Sequence, residues 1–205
     1  MIKLRAFKHN EEGAVTVETS LVLTLMMLCT GGVLECGLAF WQWNSAQQAA
    51  RHGARLASVS PPLSQDLMTM TGLGNGVEAG DPFPDYEVIC SGGTQSCNQG
   101  NFDTLALENL VFGPDGDGVC EKTALLRRGI CDVVPFVKVE NIDVVYQNSG
   151  FGFAGLPSDP APLITVTVKD LEFNLIFLDI FFPNQFLKIP PVSVSVMHED
   201  LRNQA

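Results

Sequence analysis

MIKLRAFKHNEEG at residues 1–13, followed by AVTVETSLVLTLMMLCTGGVLECGLAFWQW at residues 14–43, is the stretch that decides how this chain is organised. Between Ala14 and Trp43 there is no lysine or arginine. As a helix rising about 1.5 Å per residue, the segment is roughly 45 Å long, more than the roughly 30 Å hydrocarbon core of a bilayer. The pattern predicts a membrane-spanning helix. Trp41 and Trp43 stand at its far end, where amphipathic indoles favour the headgroup level, and Lys3, Arg5 and Lys8 precede it. The positive-inside bias therefore puts the N-terminus in the cytoplasm and the bulk of the chain outside, although Arg51 and Arg55 flank the other end about two turns beyond the tryptophans.

Two carboxylates interrupt the apolar run, Glu18 and Glu35. An ionised group at the bilayer centre costs on the order of 2.5–3.5 kcal/mol, so each needs a partner, a proton or an interfacial position. A cut between Gly13 and Ala14 would create an Ala14 ammonium able to pair with Glu18 of the same or an adjacent subunit; otherwise Glu18 lies in the headgroup layer. Glu35 sits beside Gly31, Gly32 and Gly37, so it either faces a closely approaching helix or snorkels. A secretory signal cut at Ser45-Ala46 fits less well, because its apolar core would be too long and would hold two glutamates. Cys29 and Cys36 are seven apart, nearly on one helix face, and read as small packing residues.

Past Trp43 the helical pattern continues. Ala46, Ala50 and Ala54 recur at every fourth position, as do Ala49, Gly53 and Ala57, forming two adjoining ridges of small side chains that let another element approach. Arg51 and Arg55 form a separate pair that can stay solvated, and Pro61-Pro62 ends the helix.

The 148 residues after Ala57 suffice for one domain with its own core. They carry seven Lys and Arg against nineteen Asp and Glu, whereas residues 1–57 carry five against four. That acidity argues against nucleic acid, whose phosphates need basic contacts, and suits a solvated external module. Cys90, Cys97, Cys120 and Cys131 lack zinc-knuckle spacing; in an oxidising compartment they read as disulfides, and of three connectivities loop closure favours the local pairs Cys90–Cys97 and Cys120–Cys131. Three strands are expected, Ile142 to Tyr146, Ile164 to Val168 and Val192 to Val196, with short helices at Asp103 to Leu110 and Glu121 to Arg128 closed by Gly113 and Gly129. The apolar insert LEFNLIFLDIFFPNQFLKIPP at 171–191 is too short and interrupted to span a membrane and reads as core. Residues 63–135 otherwise show no pattern that decides a fold. The whole is an α+β arrangement: a long helix packed near its outer half on a small antiparallel sheet.

Catalytic chemistry finds little support. His9, His52 and His198 are isolated, and neither G-x-S-x-G nor H-E-x-x-H occurs. The weak metal candidate is Asp115 with Asp117, but aligning Gly118 with the invariant glycine of a calcium loop puts Gly113 and Ala124 at ligand positions, so an acidic turn is the better reading.

The leader, Gly13-Ala14-Val15 with Glu18, Leu34-Glu35-Cys36-Gly37 and above all WNSAQQAARHGAR at 43–55 resemble the TadE-like proteins, minor pilins of the tight adherence (Flp, type IVc) pilus system. Ile164 to Val168 and Val192 to Met197 look like the family's terminal strands. The resemblance implies a pilin-like fold and a division into a cytoplasmic prepilin-type leader at 1–13, a transmembrane helix at 14–43, a helix extension at 44–60 and an external disulfide-containing α+β domain at 61–205. It implies processing at Gly13, Ala14 and Glu18, and helix packing through Glu35, Ala46, Ala50, Gly53 and Ala54. The implied partners are a prepilin peptidase, other minor or major pilins, an inner-membrane secretion platform and membrane lipid; no cofactor and no nucleic acid are expected. The expected place is the inner membrane, single-pass, with the domain periplasmic or external and possible association with the pilus. The rival reading is a membrane-anchored periplasmic binding domain unrelated to pili.

Overall fold

A computed structural model describes residues 12–114, 118–120, 128–155, 161–172, 175 and 188–197. Two compact units divide the chain: Met1–Trp41 with Asn174–Phe186, and Gln42–Phe173 with Leu187–Ala205. The first helix, α1, runs Glu12–Ala57. No proline interrupts it, and its seryl and threonyl hydroxyls, which could compete with the helix, turn back onto its own carbonyls. It stops at Ala57, three residues short of the expected extension to residue 60; Ser58 and Val59 donate back to the Ala54 and Leu56 carbonyls at 3.0 and 3.2 Å before Pro61 enters.

In the second unit, strands β1 (Glu87–Ser91), β2 (Ser96–Cys97), β3 (Ile142–Asn148), β4 (Pro162–Val168) and β5 (Val192–Met197) form one antiparallel sheet in the order β2-β1-β3-β4-β5. Alternation decides which face is covered. The register stacks Val88, Tyr146, Ile164 and Val196 in one row, Cys90, Val144, Val166 and Val194 in the next, and Ile142, Val168 and Val192 in a third. These rows are the buried face, and they share a core with Ala46, Ala49, Ala50 and Ala54 of α1. The opposite face carries Thr165, Thr167, Ser193 and Ser195, with a 2.8 Å hydroxyl contact between Thr165 and Ser195 across the strands.

Among the described residues there are five strands where three were expected. β3, β4 and β5 lie where the branched alternation puts them; β1 and β2 were not expected, because one is five residues and the other two, too brief to show a period. They pair around a Gly92-Gly93 turn, and a Cβ at Gly92 would fall 2.2 Å from the Val139 carbonyl oxygen. Disulfides join Cys90 to Cys97 and Cys120 to Cys131, while Cys29 and Cys36 are free. Helix α2 spans Thr104–Val111, capped by the Asp103 carboxylate, which accepts the Ala106 N–H at 3.1 Å. The expected helix at Glu121 to Arg128 lies outside the described residues except for Arg128. Gly129 precedes a helix, α3 (Ile130–Val133): its N–H donates to Asp132 at 2.8 Å, and its missing Cβ leaves room for the Val111 carbonyl, 2.2 Å from where that atom would stand. Of the apolar insert, Leu171, Leu175 and Ile189 are buried, and 173–174 and 176–187 lie outside the described residues.

Tyr146 fixes the chain where it leaves α1. Its ring is fully buried in the sheet face, and its hydroxyl accepts the Leu63 N–H at 3.0 Å, which holds the segment after Pro61-Pro62 onto β3. Tyr146→Phe keeps the ring but strands a buried N–H, so the thermal midpoint should fall by the equivalent of about 1–3 kcal/mol. Burial raises the Tyr146 and Tyr86 phenols above their ordinary range. Both stay protonated in the folded state after the unfolded phenols begin to ionise, so this contribution is complete below about pH 10 and is lost as pH rises beyond it. Thermal midpoints measured from pH 8 to 11 should therefore decline above about pH 10, less steeply in Tyr146→Phe. Alkylation of the unreduced, denatured chain should modify two thiols, rising to six after reduction.

Candidate membrane helix and packing face

The N-terminal part of α1 presents apolar side chains all round. Val17, Leu21, Leu25, Met26, Leu28, Val33 and Phe40 are exposed, with Val33 reaching 74%, and the helix from Gly13 to Ala57 has a mean hydropathy of 1.9 over its most apolar window. Water does not tolerate such a surface in isolation, whereas lipid or other apolar helices do. The hydroxyls within it need no outside partner: Thr19 donates to Val15 at 2.8 Å, Ser20 to Val17 at 2.9 Å, Thr24 to Ser20 at 2.7 Å and Thr30 to Met26 at 2.9 Å, each onto a carbonyl one turn back. Among the described residues, one helix is long and apolar enough to cross a membrane.

Gly13, Ala14 and Glu18 are exposed on α1, with Ala14 and Glu18 one turn apart on a shared face. Glu35 differs sharply, at 3% exposure, and Gly31 one turn earlier is buried with it. Gly32 and Gly37 are open, a Cβ at either meeting no described atom within 4 Å.

In the second unit the small-residue ridges of α1 meet the sheet. Ala46, Ala50 and Ala54 are buried, and at Gly53 a Cβ would come within 2.7 Å of Ile130 Cδ1 on α3 and 3.2 Å of Val166 Cγ1 on β4. Leu56 and the half-buried Trp43 widen the contact. His52, isolated in sequence, is an anchor here: its Nε2 lies 2.8 Å from the Arg128 carbonyl, tying α1 to the approach to α3 across 76 positions. No sequence signal marks that pairing, because a main-chain acceptor leaves no residue signature. Asp115 and Asp117 lie outside the described residues, among which no group of three or more His, Cys, Asp or Glu could hold a metal. Gly53→Ala should be close to neutral, since the tip of Ile130 can turn, Val166 need give only slightly and alanine favours the helix, whereas Gly53→Leu should cost about 1–3 kcal/mol by overpacking. Thermal unfolding of the purified variants separates the two outcomes.

The family model described as TadE-like protein matches residues 13–55. No curated protein and no solved structure matches the chain. The matched residues take in the exposed apolar helix, Ala14 with Glu18, and most of the small-residue face against the sheet, and over this stretch the chain is similar to that family.

Proposed function

We propose that the chain is a minor pilin or pilus-assembly protein of a tight adherence (type IVc) system, acting in pilus biogenesis and adhesion by helix packing and not by catalysis. The observation that supports this most is a helix that from Val15 to Leu28 exposes apolar side chains on every side, with a carboxylate one turn after Ala14, inside the segment that matches the family. A tether would need the span alone; the placed carboxylate and the small-residue face suit a helix that also packs against protein. In this reading residues 1–13 are a cytoplasmic leader, 14–43 span the inner membrane, and the domain from residue 61 stands on the outer side. A prepilin peptidase cuts after Gly13, and the Ala14 ammonium then meets Glu18 of its own or a neighbouring subunit. Other pilins and the inner-membrane platform are the partners during assembly.

Intact mass and N-terminal sequencing of protein from native membranes test the first step: a start at Ala14 supports processing, and an uncut Met1 favours a permanent membrane-anchored factor. Glu18→Ala should impair piliation while leaving membrane insertion intact, and normal piliation by that variant would remove the pairing from the mechanism. Replacing residues 14–57 with an unrelated spanning helix should abolish function; retained function would favour a tethered binding domain.

A further inference from the structure

The acidic chain, with a net charge of −11, handles its basic residues in two ways. Every described lysine lies beside a carboxylate: Lys138 by Glu140, Lys169 by Asp143 and Lys188 by Asp170. Arg51, Arg55 and Arg128 are exposed, and among the described residues none of the three forms an ion pair. Asn44, Gln48, Arg51 and Arg55 line one exposed stripe of α1, opposite the face that packs on the sheet, and the contact from His52 to the Arg128 carbonyl places the main chain of the third arginine beside α1. From Cys36 to Gln65 the sequence has no carboxylate, so nothing on this stretch neutralises the stripe.

Its position along the helix identifies the ligand. Arg51 is eight residues, about 12 Å, beyond Trp43 on a continuous helix. Helical side chains lean toward the N-terminus, so the guanidinium of Arg51 reaches back by several ångströms toward the layer that Trp43 marks. The polar layer of a bilayer leaflet is about 5–8 Å deep, which puts its phosphates within that reach. Arg55 and Arg128 stand further out, within about a Debye length of a charged surface. We propose that Arg51, Arg55 and Arg128 form a collar that binds the phosphates of anionic phospholipid headgroups, Arg51 directly and the other two through the surface field, and so seats an acidic domain against a membrane of like charge. The inference rests on the membrane reading of α1.

Full-length protein in detergent, titrated with phosphatidylglycerol or phosphatidylcholine and followed by native mass spectrometry, tests it. Phosphatidylglycerol should be retained preferentially, with a preference that weakens as salt rises. The triple substitution Arg51→Gln, Arg55→Gln, Arg128→Gln should lower that affinity about a hundredfold, at about fivefold per arginine, with Arg51→Gln the largest single effect. Unchanged thermal unfolding of the variant would establish that the fold is intact. A wild-type protein without lipid preference, or a triple variant that keeps it, overturns the proposal. Wild-type dimers lost in the variant in lipid-free detergent also overturn it, by making the carboxylates of a second copy the occupant. Flotation with vesicles after alkaline extraction reports on α1 itself: flotation without lipid preference defeats the collar alone, whereas no flotation defeats the membrane reading with it.

Discussion

The contact between the small-residue face of α1 and the sheet row through Val166 is the constraint on which the rest of the second unit depends. Helix and sheet ordinarily keep apart because each side chain needs volume. Here Ala46, Ala50, Gly53 and Ala54 remove that volume on one side, so Val166 and Ile130 occupy the space where a side chain at position 53 would stand. A face of alanines buries little apolar area per residue, and the gain comes from the large side chains it lets approach: Tyr146, Ile142, Ile164 and the valines of β3 and β4. Tyr146 then captures the chain as it leaves the helix. The loop after α1 is thus a consequence of the packing beneath it.

The same helix changes character along its length. Its earlier residues are apolar on every side, while the later ones are apolar and small on one face and polar on the other. That change falls around Trp41 and Trp43, where a tryptophan-marked boundary was expected from sequence. A carboxylate is tolerated in the first part only by position or partnership, and the chain uses both situations: Glu18 is exposed near the helix start, and Glu35 is buried.

How much of this the sequence discloses follows from the range over which each signal acts. β3, β4 and β5 were legible because a branched residue at every second position is a local record of which face is covered. The packing face of α1 was legible for the same reason at period four. β1 and β2 were not, since a five-residue strand and a two-residue partner become a sheet only through pairing with β3, more than forty positions away. Gly129 carries a second constraint that no local pattern records, the tight approach of the Val111 carbonyl at the start of α3. The His52 anchor was invisible for a related reason: contact across 76 positions through a main-chain oxygen leaves the side-chain pattern unchanged.

The back-bonded hydroxyls of α1 carry one more implication. Thr19, Ser20, Thr24 and Thr30 each find an acceptor within their own helix, and so take their hydrogen-bond partners with them wherever the helix goes. A segment whose polar groups depended on a neighbour would be fixed to one environment, because leaving would strand them in hydrocarbon. These four hydroxyls, at least, would need no new partner if the helix exchanged a lipid surround for a bundle of helices.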